Sequence, residues 1–179
     1  MEDLELDRKN KSKFYMFYDT DSYGDDEYDI CGEEFRELID ICFSYCDILS
    51  LVIFTPDTAF LDELKKYRVE KPPHFPAYKS LSTFIGSKFQ PYVQYYKLCP
   101  QLKELLLKMS DSIFKFIANE KYKNPEDPTF YRKDGSVFFA SVIHEGEISL
   151  MPTENEDVTY IVAKAHWCAI LNKSSKNGQ

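Results

Sequence analysis

The sequence has few glycines and histidines and no long hydrophobic run, and each shortage argues against a class of protein. Only six glycines and three histidines occur among 179 residues. No Gly-rich phosphate loop, G-x-S-x-G elbow or dinucleotide fingerprint is present. The longest apolar run, Ile48 to Phe54, is far shorter than the roughly 20 residues of a membrane-spanning helix. The charged start, Met1 to Lys13, lacks the apolar core of a signal peptide.

Cysteine usage points to a reducing compartment. The chain has an odd number of cysteines and no C-x-x-C pair, which disfavours a disulfide framework. Cys42 and Cys46 lie four residues apart in an apolar helical pattern, where a thiol packs as a small hydrophobic group. A cytoplasmic protein is therefore expected. The five positions are Cys31, Cys42, Cys46, Cys99 and Cys168.

The charge balance disfavours nucleic acid as a partner, and the missing apolar span disfavours a membrane. The formal net charge is −8, and the lysines and arginines are scattered along the chain. Binding to a phosphate backbone needs clustered basic side chains. An acidic surface suits a basic protein partner, or serves only solubility. The sequence leaves the oligomeric state open.

The pattern of apolar residues predicts a single α/β domain of the α+β type over residues 1–179, with loose ends at 1–12 and 172–179. A mixed sheet is expected, with a β-α-β-α portion at the N-terminal side. Thr55 is the predicted N-cap of the second helix, with Pro56 in its first turn. The predicted elements of this portion are strand 14–18, helix 33–46, strand 48–54 and helix 57–67.

The second half of the chain predicts a long central helix followed by strands. A leucine-rich stripe at helical spacing runs from Pro100 to Asn119. Asp134-Gly135 and His144-Glu145-Gly146 then mark two turns of a three-stranded antiparallel meander. The capping box Thr153-x-x-Glu156 predicts a final helix, although the β-branched residues there also suit a strand.

Asp19-Thr20-Asp21 follows an apolar strand, and in this it resembles the first motif of haloacid-dehalogenase-like phosphatases. The resemblance implies a Mg²⁺-dependent enzyme with Asp19 as nucleophile, Asp21 as general acid/base and Thr55 as the second motif. The later lysine and the paired acidic residues that hold Mg²⁺ in that family have no counterpart here. A solvated acidic loop, with no cofactor, is the simpler interpretation.

His144 and Glu145 form a second candidate pair, because an imidazole beside a carboxylate can transfer protons or bind metal. The H-E-x-x-H spacing of zinc proteases is absent. Neighbouring residues of a strand also point to opposite faces, so the two side chains share a site only if a turn breaks the pleat. A polar turn is the simpler interpretation.

One stretch resembles a poorly characterised bacterial family with an F-x-R-x-D-G strand and turn followed by S-x-x-H-E. The matching segments run from Glu126 to Ser136 and from Ser141 to Glu147. Some members are labelled as sporulation-associated, and others occur in settings that suggest immunity to a polymorphic toxin. The resemblance implies a cytosolic interaction protein, with Arg132, Asp134, His144 and Glu145 as a possible signature site.

The same signature also has a purely structural interpretation. Asp134-Gly135 would form the turn, and Arg132 would pair across strands with Glu145 or Glu147.

The absence of a complete active site favours a non-catalytic binding protein, and an immunity protein that neutralises a basic toxin domain is its specific form. Residues 19–37 contain nine acidic residues and one basic residue. Charge steering with aromatic anchors is typical of such complexes. The phosphatase remains the alternative. The predicted binding residues are Tyr18, Asp19, Asp21, Tyr23, Asp25, Asp26, Glu27 and Tyr28.

Overall fold

One antiparallel sheet organises the protein. The computed structural model describes residues 14–18, 29–55, 58–73, 75, 91–117, 123–164 and 167–170. Within these ranges the sheet has eight strands, in the order β3-β4-β2-β5-β6-β7-β1-β8. Their bounds are β1 Phe14–Tyr18, β2 Ile48–Ile53, β3 Arg68–Val69, β4 Tyr92–Lys97, β5 Glu126–Tyr131, β6 Val137–Val142, β7 Glu147–Leu150 and β8 Trp167–Ile170.

Helices complete the α+β class, which is confirmed. Short 3₁₀ turns cover Lys65–Tyr67, Ile113–Lys115 and Ile143–Glu145. Within the described ranges, no helix has the length and apolar character that crossing a membrane requires. The α-helices are α1 Gly32–Tyr45, α2 Ala59–Leu64, α3 Pro100–Met109 and α4 Thr159–Lys164.

The main core lies where α1 and α3 cover one face of the sheet. The helical stripe predicted for the first helix is buried, and Cys42 within it is fully buried as a packing residue. Burial raises the pKa of the Cys42 thiol, which keeps it protonated and unreactive. Residues of α1, α3 and β2 pack together in this core, among them Phe35, Leu38, Ile39, Leu102, Leu106, Leu49 and Leu51.

A smaller cluster buries part of the opposite face of the sheet. Tyr131 is fully buried there, and its ring centroid lies 5.0 Å from that of Phe75. Tyr95 and Ile48 belong to the same cluster. Strand β2 is consequently buried along its whole length, as a central strand with both faces covered should be.

The sheet is not mixed, which corrects the prediction. The N-terminal order β1-α1-β2-α2 occurs as expected, but β1 pairs with β7 and β8 and never with β2. Every described strand pairing is antiparallel. The connection through α1 therefore crosses three intervening strands instead of joining neighbours. The predicted C-terminal meander, β5-β6-β7, is confirmed.

The central helix ends ten residues earlier than predicted, at Met109. Ser110 Oγ donates to the carbonyl of Ser112 at 2.7 Å, and Ser112 Oγ accepts from the amide of Phe114 at 3.1 Å. These hydroxyls compete with the helical hydrogen bonds and end the helix. Ile113 remains buried in the following 3₁₀ turn, which explains why the apolar pattern continues past the helix.

Two further helix boundaries differ from the prediction. Thr58, not Thr55, caps α2, since its side chain accepts from the amide of Leu61 at 3.3 Å. Pro56 lies outside the described residues. In the final segment the amide of Thr153 donates to Glu156 Oε2 at 2.6 Å, as in a capping box, yet α4 starts only at Thr159.

The final segment contains both a helix and a strand. After α4, β8 pairs along β1, with Trp167 opposite Phe17. The β-branched residues that also suited a strand, such as Ile161 and Val162, lie in α4, and the strand forms after them. The ends predicted to be loose, 1–12 and 172–179, lie outside the described residues.

Candidate functional site

The predicted acidic binding segment lies between two described anchor points. Tyr18 is the last residue of β1, and only its backbone is described. Asp29 resumes the described chain directly before α1. We call residues 19–28 the acidic segment. Its predicted site residues Asp19, Asp21, Tyr23, Asp25, Asp26, Glu27 and Tyr28 lie outside the described residues.

The far anchor point is fixed by a set of hydrogen bonds. The amide of Ile113 donates to the carbonyl of Ile30 at 3.1 Å, and that of Gly32 donates to the carbonyl of Asp111 at 2.7 Å. Ser112 Oγ donates to Asp29 Oδ2 at 2.5 Å. These bonds hold the chain against the segment that follows α3. The near anchor point is β1, which is paired on both sides by β7 and β8.

Negative charge gathers around the far anchor point. Desolvation raises the pKa of the exposed Cys31 thiol, and the charges of Asp29, Glu34 and Asp111 raise it further. Burial likewise raises the pKa of Asp29, against the hydrogen bond from Ser112. Lys115 pairs with Asp111 and offsets part of this charge. We call Asp29, Glu33, Glu34 and Asp111 the acidic surface.

The turn of the β5–β6 hairpin is held by Arg132. Its Nε and one terminal nitrogen donate to the two oxygens of Glu156, both at 2.6 Å. The guanidinium also donates to the carbonyls of Met151 at 2.6 Å and Val137 at 2.7 Å. The two charged side chains are only 12% and 9% exposed. Arg132 thereby ties the hairpin turn to the loop before α4.

The partner of Arg132 corrects the sequence prediction. Glu156 takes the place expected for Glu145 or Glu147, because the side chain reaches past the meander to the loop after β7. Burial opposes the charge of Arg132, but hydrogen bonds from its guanidinium to Glu156 raise its pKa on balance. Burial also opposes the charge of Glu156, and Arg132 and the Thr153 amide nevertheless lower its pKa.

Asp134 and Gly135 form the turn as predicted. Asp134 Oδ1 accepts from the amide of Ser136 at 2.9 Å and from its hydroxyl at 2.7 Å. The Ser136 hydroxyl and amide bonds hold the pKa of Asp134 below its usual range. Gly135 has φ of 87°, a conformation that L side chains rarely adopt. Arg132 and Asp134 are therefore occupied in holding the hairpin.

The open end of the same hairpin brings together three groups of a different kind. Ligand atoms of Glu126, Asp127 and His144 lie within 4.8 Å of one another. Both carboxylates are buried, whereas His144 is exposed. The sequence pattern points to His144 but not to the two carboxylates, which lie at the start of the matching segment.

A β-bulge places the two carboxylates together. Thr129 pairs with Ser50 and Glu126 pairs with Val52, so two residues of β5 oppose Leu51. Asp127 lies in this bulge with φ of 51°, an uncommon conformation for a residue other than glycine. Neighbouring strand residues ordinarily point to opposite faces, and the bulge removes that restriction.

The turn after β6 brings His144 to the same place. Residues 143–145 form a 3₁₀ turn, which breaks the strand pleat. Asp127 Oδ1 accepts from the amide of Ile143 at 2.8 Å, fixing the turn to the bulge. The side chain of Glu145 lies outside the described part, so the predicted His144–Glu145 pair stays a prediction.

The residues of the phosphatase alternative follow, in sequence, two strands that are far apart in the sheet. β1 and β2 run in the same direction, but β5, β6 and β7 lie between them. At the usual strand spacing their C-terminal ends are on the order of 19 Å apart. Thr55 follows one end and Asp19 follows the other.

No family model matches the chain, and no curated protein or solved structure shows significant similarity to it.

Proposed function

We propose that the protein is a non-catalytic binding protein that captures a basic protein partner through the acidic segment and the acidic surface. The observation that supports this proposal is that both ends of an acid-rich segment are anchored on the folded scaffold. A strand in the sheet holds one end, and the hydrogen bonds around Ile30 and Gly32 hold the other. Binding residues commonly lie on loops that a rigid scaffold positions.

The electrostatics support a basic partner. The chain has a net charge of −8, and Glu33 and Glu34 extend the acidic segment into the first turn of α1. Charges of one sign concentrated on one surface steer an oppositely charged partner and raise its association rate. Tyr18, Tyr23 and Tyr28 would supply aromatic anchors within or beside the acidic segment.

A toxin-neutralising immunity protein is the specific form of this proposal. It follows from the resemblance of the hairpin signature to a bacterial family with members in such settings. A cytoplasmic location fits the proposal, because Cys31 is exposed and is a free thiol. Direct contact with nucleic acid or membrane is not part of the proposed function.

The Mg²⁺-dependent phosphatase remains the alternative, but the strand order does not favour it. A nucleophile at Asp19 and a hydroxyl at Thr55 must reach one phosphoryl group. Three strands separate the ends of β1 and β2 that these residues follow. The binding proposal requires no such convergence of side chains.

Charge reversal in the acidic segment tests the proposal. We expect Asp25→Lys/Asp26→Lys/Glu27→Lys to weaken capture of a basic partner from a bacterial lysate by at least about tenfold. The immobilised wild-type protein should retain that partner in a molar amount equal to its own. The matched control, Glu63→Lys/Glu70→Lys/Glu154→Lys, changes the charge by the same amount at exposed positions elsewhere. Capture should survive in the control.

Two results would contradict the proposal. Equal capture by the reversed and control variants would show that the acidic segment does not bind the partner. Mg²⁺-dependent phosphatase turnover that disappears in Asp19→Asn would instead establish the alternative.

A further inference from the structure

We propose that the open end of the β5–β6 hairpin binds a divalent first-row transition-metal ion through Glu126, Asp127 and His144. This inference does not depend on the proposed binding function. The three ligand atoms already lie within 4.8 Å of one another. Metal–ligand bonds of 2.0–2.2 Å in a tetrahedral site separate the ligand atoms by ~3.4 Å. Small side-chain rotations would therefore close the site.

The burial of the two carboxylates favours a cation at this place. Glu126 is 5% exposed and Asp127 is 4% exposed. Adjacent buried carboxylates repel each other, and their charged forms depend on hydrogen bonds or on positive charge close by. A divalent ion held between them would neutralise both, with the His144 imidazole as a neutral third ligand.

The backbone around the site orients its ligands in advance. The bulge at Asp127 brings both carboxylates to one side, which a regular strand cannot do. The amide of Ile143 donates to Asp127 Oδ1 at 2.8 Å and holds that carboxylate in place. Such outer hydrogen bonds orient metal ligands in proteins. A carboxylate has two oxygens and about four lone-pair sites, so this bond leaves it able to coordinate.

The ligand set selects the class of metal. Imidazole nitrogen favours transition metals over Mg²⁺ and Ca²⁺, which take oxygen ligands almost alone. The exposed side chain of His144 provides an entry path from solvent. Three protein ligands leave at least one coordination position for water or for a group from a partner.

Calorimetric titration of the chelator-treated protein with Mn²⁺ and Zn²⁺ tests the site. The Cys31→Ser variant serves as the background, because an exposed thiol binds Zn²⁺ by itself. We expect one ion per chain to bind, and His144→Ala to weaken binding by at least about tenfold. Glu154→Gln, which alters an exposed carboxylate in a distant turn, should bind as the background does.

Folding of each variant is checked by its unfolding midpoint without metal, since His144 is exposed and its removal should be tolerated. At the same concentration, Mn²⁺ should raise the midpoint of the background protein by more than that of His144→Ala. Equal binding by the background and His144→Ala would overturn the proposal. The proposal would also be overturned if neither Mn²⁺ nor Zn²⁺ bound at up to about 1 mM. It would be overturned as well if Mg²⁺ bound as tightly as Mn²⁺.

Discussion

Replacing Arg132 with alanine should lower the free energy of unfolding by about 3–5 kcal/mol, because the buried Glu156 carboxylate loses its ionic partner. The guanidinium makes two hydrogen bonds of 2.6 Å to Glu156 and further bonds to backbone carbonyls. It also lies 5.2 Å from the centre of the Phe138 ring. Urea denaturation of the variant and the wild type measures the difference.

The ion pair between Lys65 and Asp62 provides a matched control. Its two side chains are 72% and 70% exposed, so solvent screens the attraction. Lys65→Ala should change the unfolding free energy by no more than about 1 kcal/mol. Arg132→Lys should fall between the two, because lysine keeps the charge but loses the two-pronged contact. If Arg132→Ala costs no more than Lys65→Ala, the guanidinium does not stabilise the hairpin.

The Arg132–Glu156 ion pair gives the free energy of unfolding a defined pH dependence. Burial alone would raise the pKa of Glu156, but hydrogen bonds from Arg132 and the Thr153 amide lower it on balance in the folded protein. The unfolded state therefore binds a proton more readily, and the stabilisation is fully present above the ordinary value of 4.5. It should be lost as the pH falls below that value. Arg132→Met/Glu156→Met should lack this part of the acid dependence.

Replacing Tyr131 with alanine should cost about 3–5 kcal/mol through the cavity left on the second face of the sheet. Tyr131 is fully buried, and the ring centroids of Phe75 and Tyr95 lie 5.0 and 6.3 Å from its own. Thermal or urea unfolding measures the loss.

Two variants separate the cavity from the hydroxyl group. Tyr131→Phe removes only the hydroxyl that accepts from Ser50 Oγ at 3.3 Å, and should cost about 1 kcal/mol. Tyr92 on β4 is 40% exposed, so Tyr92→Ala should cost less than about 1 kcal/mol. A loss in Tyr131→Ala as small as that in Tyr92→Ala would mean that the second face is not a packed core.

The two ends of the β5–β6 hairpin place its side chains in different surroundings. At the turn, Arg132, Asp134 and Gly135 hold backbone and neighbouring loops, so the structural interpretation of those residues is supported by their contacts. At the open end, Asp127 lies in the bulge of β5 next to Glu126, and the turn after β6 brings His144 to them. The resemblance alone did not distinguish these two ends.

Local patterns in the sequence predicted the local elements well. The spacing of Phe35, Leu38 and Cys42 predicted α1, and Asp134-Gly135 predicted the hairpin, because both depend on nearby residues. The serines after Met109 ended the central helix against its apolar pattern, since their hydroxyls offered the backbone other partners.

Non-local features could not be predicted in the same way. The pairing of β1 with β7 and β8 depends on residues distant in sequence. The partner of Arg132 depends on where the loop after β7 returns. The Glu126–Asp127–His144 cluster depends on a bulge that changes the direction of a single side chain. None of these has a periodic pattern in the sequence.

The association rate of the purified basic partner as a function of ionic strength tests the central proposal most directly. If the acidic segment and acidic surface steer the partner, the rate should fall steeply as salt is added. Asp25→Lys/Asp26→Lys/Glu27→Lys should lower the rate at low salt and flatten its salt dependence. A wild-type rate that is independent of ionic strength, and unchanged by charge reversal, would contradict the proposal.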